Sequence, residues 1–221
     1  MVHFVAMSQS KIGILGSGDV AQALGRGLVA LGHEVKLGAR EATNEKTNAW
    51  AKERGARASA GTFADAAAFG DIVFLCTLWS GTKNALDLAG PSFDGKVVVD
   101  VTNPLDFSTG APRLAIGLTD SGGEQVQRWL PTAKVVKAFN TVGHAHMVNP
   151  DFPSGPPDMF LCGDDEAAKA TVSGICKKLG WGVVDAGGID ASRLTEPMCI
   201  LWVAYGMRTQ SFNHAFKLLR K

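Results

Sequence analysis

The 221-residue chain has almost no net charge: 22 Lys and Arg against 21 Asp and Glu leave a formal +1 at pH 7. That balance removes the electrostatic reason to expect nucleic acid or an anionic membrane surface as a partner. Cysteine is scarce too. Cys76, Cys162, Cys176 and Cys199 show no C-x-x-C spacing, which argues against a disulfide framework or a thiolate metal site. Cys176 falls on a mixed helical pattern and the other three in apolar patterns, where a buried free thiol is the usual outcome. Reduced cysteines point to the cytoplasm. No hydrophobic run approaches the ~20 residues that span a bilayer; the most apolar segment, Pro197–Met207, is about half that. Met1–Ser10 lacks a basic start and an apolar core, so it is expected to be a short disordered lead-in and not a signal peptide. No internal repeat is present, and neither a catalytic triad nor a Lys–Asp pair is evident.

What is there is a compact composition, 46% hydrophobic and 19% charged, long enough for one sizeable core with an appendage. The apolar run Lys11–Leu15 leads straight into Gly16-Ser17-Gly18-Asp19-Val20-Ala21. Gly16 permits a tight bend, Gly18 lets the backbone approach a pyrophosphate, and Ala21 lets the following helix pack on the sheet. That helix, about Asp19 to Leu31, carries Val20, Leu24, Leu28 and Leu31 on one side. Its first amides favour an anion. Asp19 would repel a phosphate, so it is expected to turn toward helix amides or a ribose hydroxyl. A tight turn without ligand is the plainer alternative.

The second strand, Glu34–Gly38, ends in Ala39 and Arg40. An acidic residue here would hold a ribose 2′-hydroxyl, whereas a guanidinium suits a 2′-phosphate. Arg40 can pair with phosphate oxygens and lay its plane against adenine. Thr43, Asn44 and Lys46 stand just downstream as possible donors. A solvated surface arginine is the alternative; NADP is the reading adopted.

Beyond this, strands and helices alternate almost throughout. Helices are expected over Lys46–Arg54, Thr62–Phe69, Thr82–Ala89 and Glu124–Leu130, and strands near Arg57–Ala60, Asp71–Cys76, Lys96–Val101, Val135–Phe139, Asp158–Cys162 and Gly182–Asp185. Thr102–Gly123 reads as a long loop. The order predicts an α/β protein: a Rossmann-type, doubly wound, mostly parallel sheet with a short C-terminal helical appendage. The dinucleotide-binding domain is expected at 9–188 and the helical region at 189–221. Ligands in such sheets sit beyond the carboxyl ends of the strands, which gathers Thr77-Leu78-Trp79, Thr102-Asn103-Pro104 and Asn140-Thr141 near the glycine turn. Met198–Met207 is apolar nearly all round and must be covered, by the sheet domain and a second subunit in a homodimer.

The glycine turn, Gly38-Ala39-Arg40, Thr77-Leu78-Trp79, Val99–Leu105, Lys137–Thr141, Cys162–Asp165 and Asp185-Ala186-Gly187 with Ser192-Arg193-Leu194 together resemble the NADPH-dependent F-420 reductase family, with the cytoplasmic domain of the STEAP metalloreductases as a relative. The likeness runs over most of residues 11–205. It implies NADP(H) at the turn and direct hydride transfer to a stacked deazaflavin. Ser17, Gly18, Asp19 and Val20 would line the pyrophosphate and Arg40 the 2′-phosphate. Thr77, Leu78 and Trp79 would border the adenosine and ribose, and Ala138, Asn140 and Thr141 the nicotinamide. Archaeal members carry Ser before the arginine and Lys four residues after it; here Ala39 and Asn44 stand there, leaving Thr43 and Lys46 as substitutes. The Phe139-Asn140-Thr141 run is closer to the metalloreductase form.

Hydride transfer between stacked rings needs positioning and dryness more than acid–base groups. Asn140, Thr141 and His144 are the candidates beside the reaction. His144-Ala-His146 lacks a carboxylate or Cys partner in sequence, so no metal site is expected; a packing role is the bland reading, and bordering the acceptor the sharper one. Trp79 is a stacking surface or core. Asp164-Asp165-Glu166 reads as a solvated helix start. The expected function is an NADPH-dependent oxidoreductase whose small-molecule acceptor is F-420, FMN or FAD. The alternatives are a C=N or C=O reductase of the pyrroline-carboxylate or imine type, for which a tail of about 33 residues is short, and a non-catalytic NADPH-binding protein.

Overall fold

The computed structural model describes residues 9–221; most of the lead-in expected at Met1–Ser10 lies outside them. The elements run β1 (Lys11–Leu15), α1 (Asp19–Ala30), β2 (Glu34–Ala39), α2 (Glu45–Arg54), β3 (Ala58–Thr62), α3 (Phe63–Phe69), β4 (Ile72–Leu75), α4 (Trp79–Ala89), β5 (Val97–Asp100), β6 (Leu105–Asp106), β7 (Arg113–Leu114), α5 (Gly122–Trp129) and β8 (Lys134–Lys137). After a 3-10 turn at His144–His146 follow β9 (Asp158–Gly163), α6 (Glu166–Lys178), β10 (Gly182–Asp185), a second 3-10 turn and α7 (Ser192–Thr209).

Eight strands form one sheet in the order β10-β9-β8-β5-β4-β1-β2-β3. All neighbouring pairs are parallel except β8 with β9, which are antiparallel. The Rossmann-type expectation holds, with that one reversal added. The central strands read as continuous apolar runs because both faces are covered. One face packs Ile12, Ile14, Leu24, Leu28, Val99, Val136, Val172 and Ile175; the other packs Leu15, Phe63, Val73, Leu75, Leu86, Val98, Val126 and Val135.

Three departures from the expected boundaries have identifiable causes. β8 stops at Lys137 because Phe139 adopts φ 61°, a conformation that ends a strand and is costly for a bulky side chain. Its N–H instead donates to Met159 Sδ at 3.0 Å. Helix α5 starts two residues early because Ser121 is its N-cap, with Oγ accepting from Glu124 N at 3.2 Å, and the carboxylate of Glu196, far along the chain, accepts the N–H groups of Gly122 and Gly123 at 3.0 Å each. The long loop after β5 folds part of itself into the β6–β7 hairpin.

Helix α7 buries Cys199, Trp202 and Gly206 but leaves Leu194, Leu201, Tyr205 and Met207 exposed. Within this chain it is therefore half-covered only. Residues 210–221 turn back along the sheet edge: Phe216 C=O accepts from Asp158 N at 2.9 Å, and Trp202 Nε1 donates to His214 C=O at 2.9 Å. Among the described residues, no helix is long and apolar enough to cross a membrane.

Candidate functional site

The glycine turn closes at the carboxyl end of β1. Gly16 takes φ 149°, and a Cβ there would sit 2.4 Å from the Cys76 carbonyl oxygen. Gly18 differs: at φ −81° any residue fits, and a Cβ would meet no atom within 4 Å. The space above Gly18 is open. Helix α1 has no side-chain cap, and its first closing bond runs from Gln22 N to Gly18 C=O at 3.0 Å. The amides of Asp19, Val20 and Ala21 thus lack intrahelical partners. Asp19 is exposed and caps nothing, which corrects the expectation that it turns back to helix amides. An open cradle over uncapped amides at a helix N-terminus fits a pyrophosphate.

A crevice of about 1030 Å³ opens there, in the size class of small-molecule sites. It gathers Gly16, Ser17, Gly18, Asp19, Val20, Ala39, Arg40 and Thr43 at one end and Thr77, Leu78, Trp79 and Asn103 along the middle. Leu105, Phe107 and His144 also line it, as do Glu41 and Asn44 beside Arg40. Lys46, Ala138, Asn140 and Thr141 do not line it. Lys46 is exposed on α2, while the other three are buried behind the wall. Arg40 is exposed and no ion pair engages it among the described residues. Asn44 spends its Oδ1 as the N-cap of α2, accepting from Thr47 N at 3.1 Å. Thr43 and Asn44, the latter with its Nδ2, are the neighbouring donors at the crevice.

Trp79 proves to be both surface and core. It is half-buried, lines the crevice, and stacks on Trp129 with centroids 5.5 Å apart at 21°. The Thr77 and Thr82 hydroxyls bond at 2.9 Å, and Thr82 Oγ1 donates to Leu78 C=O, fixing the turn that presents Leu78. Cys76 also lines the crevice, with burial and the nearby Asp100 charge pushing its thiol well above the ordinary range; it stays protonated. His144 faces the crevice from the 3-10 turn, whereas His146 bonds Asn213 at 3.1 Å and packs on Phe152. Asp165 caps α6 through Ala168 N at 2.8 Å, the helix-start role read from sequence.

The largest omission of the sequence reading is a buried Lys–Asp pair, with a second carboxylate attached. Lys137 and Asp100 face each other in register on β8 and β5. Lys137 Nζ lies 2.7 Å from Asp100 Oδ2 and 2.8 Å from Glu196 Oε1, and donates to Thr102 C=O at 2.8 Å. All three ionic side chains are essentially fully buried. Burial alone would depress the ammonium, but the two carboxylates outweigh it and hold it above its ordinary value. The available signal was a charge closing each of two apolar runs, Val97-Val98-Val99-Asp100 and Val135-Val136-Lys137. Directly beside this cluster, Asn140 Nδ2 donates to Asn103 Oδ1 and Thr195 C=O, and Asn103 Nδ2 donates to Asn140 C=O.

With this geometry in place, likeness to known proteins is informative. The model of a family described as coenzyme F-420-dependent NADP oxidoreductases matches residues 11–104. An F-420-dependent NADP reductase of Methanocaldococcus jannaschii is 32% identical over 91% of this chain and 94% of its own. Metalloreductase STEAP3 of Rattus norvegicus is 31% identical over 84% of this chain, which spans 36% of that protein. A crystal structure from Arthrobacter sp. FB24, provisionally assigned as an F-420-dependent NADP reductase, superposes with a TM-score of 0.89 at 37% identity, covering 96% of this chain and all of that one.

Proposed function

From the premise that the chain belongs to the coenzyme F-420-dependent NADP oxidoreductase family and is an NADP-dependent oxidoreductase, we propose that the crevice holds NADP(H) and a ring acceptor, F-420 or a flavin such as FMN or FAD. The observation that carries this reading is Arg40, an exposed guanidinium without an ionic partner among the described residues, lining one crevice with an open glycine cradle and uncapped helix amides.

When bound, NADPH supplies a hydride to the acceptor ring. The chain's part is to bind, orient and exclude water. Ser17, Gly18, Asp19 and Val20 hold the pyrophosphate, Arg40 and Thr43 the 2′-phosphate, and Thr77, Leu78 and Trp79 the adenosine and ribose. Asn103 reaches the wall where the nicotinamide end falls; Ala138, Asn140 and Thr141 support it from behind. The apolar Leu105 and Phe107 with His144 border the acceptor. In this reading residues 9–188 form the NADP-binding domain and 189–221 a C-terminal region, helical over α7.

Asn140→Leu removes both amide donors but no crevice contact. It is expected to lower kcat by about tenfold or more while moving the NADPH Kd little. Steady-state kinetics beside an NADPH titration check this; an unaltered kcat would contradict the role.

We further assign the exposed Leu194, Leu201 and Tyr205, which share one face of α7, to a homodimer interface, since an apolar stripe on a helix is generally covered by a partner. Light scattering should find a dimer in the wild type and a monomer in Leu201→Asp; a wild-type monomer at micromolar concentration would refute it. The four free thiols support a reducing, cytoplasmic setting. Turnover of NADPH with a panel of F-420, FMN, FAD and ferric chelates tests the acceptor class: loss of 340 nm absorbance with ring acceptors supports it.

A further inference from the structure

We propose that Lys137, Asp100 and Glu196 form a positioning device that sets the place of Asn103 at the nicotinamide end of the crevice, an inference that rests on the crevice taking NADP(H).

A buried ion cluster is poor evidence for stability, because well-packed apolar residues of similar volume commonly do as well. This one is bonded outward to backbone as well as within itself, with the Lys137 ammonium the close partner of Asp100 Oδ2. The three N–H bonds of Lys137 go to Asp100, Glu196 and Thr102 C=O. Glu196 also takes the two amides that open α5, and Asp100 Oδ1 takes the N–H and hydroxyl of Thr102 at 2.9 and 2.7 Å. The cluster therefore ties the ends of β5 and β8 to the start of α5 and to α7.

Its neighbours complete a closed circuit. Thr102 is followed by Asn103, whose amide pairs in both directions with Asn140. Asn140 in turn bonds Thr195 C=O at 3.0 Å, and Thr195 precedes Glu196. Thr102 and Asn103 are the circuit members that line the crevice, and only Asn103 turns an amide into this exchange. With one Nδ2 hydrogen and one Oδ1 lone pair spent on Asn140, Asn103 keeps one donor and one acceptor for a ligand. The circuit fixes their direction. The glycine cradle and Arg40 make no bond to it, so binding strength and nicotinamide placement are separable.

The full chain is titrated with NADPH, read by nicotinamide fluorescence, and then assayed for turnover with F-420 or FMN. Glu196→Gln keeps the volume and leaves Lys137 and Asp100 as a neutral pair, while one carboxylate acceptor becomes a donor facing Lys137 and the α5 amides. The expected result is an NADPH Kd within about threefold of wild type, with the fluorescence enhancement largely lost. The kcat should fall about tenfold to a hundredfold, the scale on which small misplacements act. Lys137→Met combined with Glu196→Gln keeps the net charge of the native cluster and serves if the single variant does not fold. A folded variant with wild-type fluorescence and kcat would overturn the proposal. So would a Kd rising in step with the lost kcat, or failure of both variants to fold, which would assign the cluster to stability. If the wild type binds NADPH but reduces no ring acceptor, the functional reading fails, and fluorescence against Kd still decides the positioning.

Discussion

Arg40→Ala is expected to raise the Kd for NADPH about tenfold to a hundredfold while leaving the Kd for NADH nearly unchanged. A charge-assisted hydrogen bond contributes about 1.5–3 kcal/mol, and 1.4 kcal/mol is a factor of ten. Arg40 follows β2 on an exposed position, with Ala39 before it buried in the sheet. No ion pair engages it among the described residues, so removing it breaks nothing in the fold. Thr43 is close enough in the crevice wall to keep part of the 2′-phosphate contact. Asn44 lines the crevice with its Oδ1 committed to capping α2, and Lys46 does not line it, which makes the arginine the principal cationic contact. Isothermal titration with both dinucleotides checks this. Equal losses for NADPH and NADH would remove the 2′-phosphate from Arg40.

Gly18→Leu is expected to abolish dinucleotide binding, with a Kd raised at least about a hundredfold, and to leave thermal stability essentially unchanged. The two effects separate because the backbone at Gly18 suits any residue and a Cβ meets nothing in the protein. The leucyl side chain would stand where the pyrophosphate must approach the amides of α1. Gly16→Ala makes the opposite prediction. Its φ of 149° and the Cys76 carbonyl at 2.4 Å impose strain of about 1–3 kcal/mol before any ligand is considered. A thermal melt beside an NADPH titration distinguishes the two variants. A Gly18→Leu protein that still binds NADPH tightly would place the cofactor elsewhere.

The half of the site formed by β1, the glycine turn, α1 and the end of β2 was legible in the sequence because its signals are local. A strand followed within a few residues by a turn and a helix carries its own periodicity, and Arg40 sits at a fixed distance from it. The other half depends on contacts between distant residues. Ser121 with Glu124 three residues on is a local start signal for α5, but Glu196 bonds the first amides of that helix from more than seventy positions away, a contact that no local pattern carries. The Lys137–Asp100 pair arises from strand register, which the strand assignments alone do not fix. Phe139 shows the same limit. Its left-handed backbone ends β8, and Asn140 is buried with its Nδ2 on Asn103, a placement that the resemblance, which implies only that Ala138, Asn140 and Thr141 border the nicotinamide, does not specify. The apolar stretch of α7 was legible as a segment needing cover, but its exposed Leu201 and Tyr205 appear only once the helix is docked.

Direct hydride transfer from NADPH to a ring acceptor is the central claim, and isotopic labelling tests it most directly. NADPH carrying deuterium at either face of the nicotinamide C4 is mixed with the protein and F-420, a deazaflavin that takes the hydride at a non-exchanging carbon, and the reduced acceptor is analysed by mass spectrometry or NMR. The account predicts that deuterium from one face appears on the acceptor ring, with a primary isotope effect on that transfer and none from the other face. Binding of NADPH without transfer to any ring acceptor, or a reduced ring bearing only solvent hydrogen at a non-exchanging position, would contradict it.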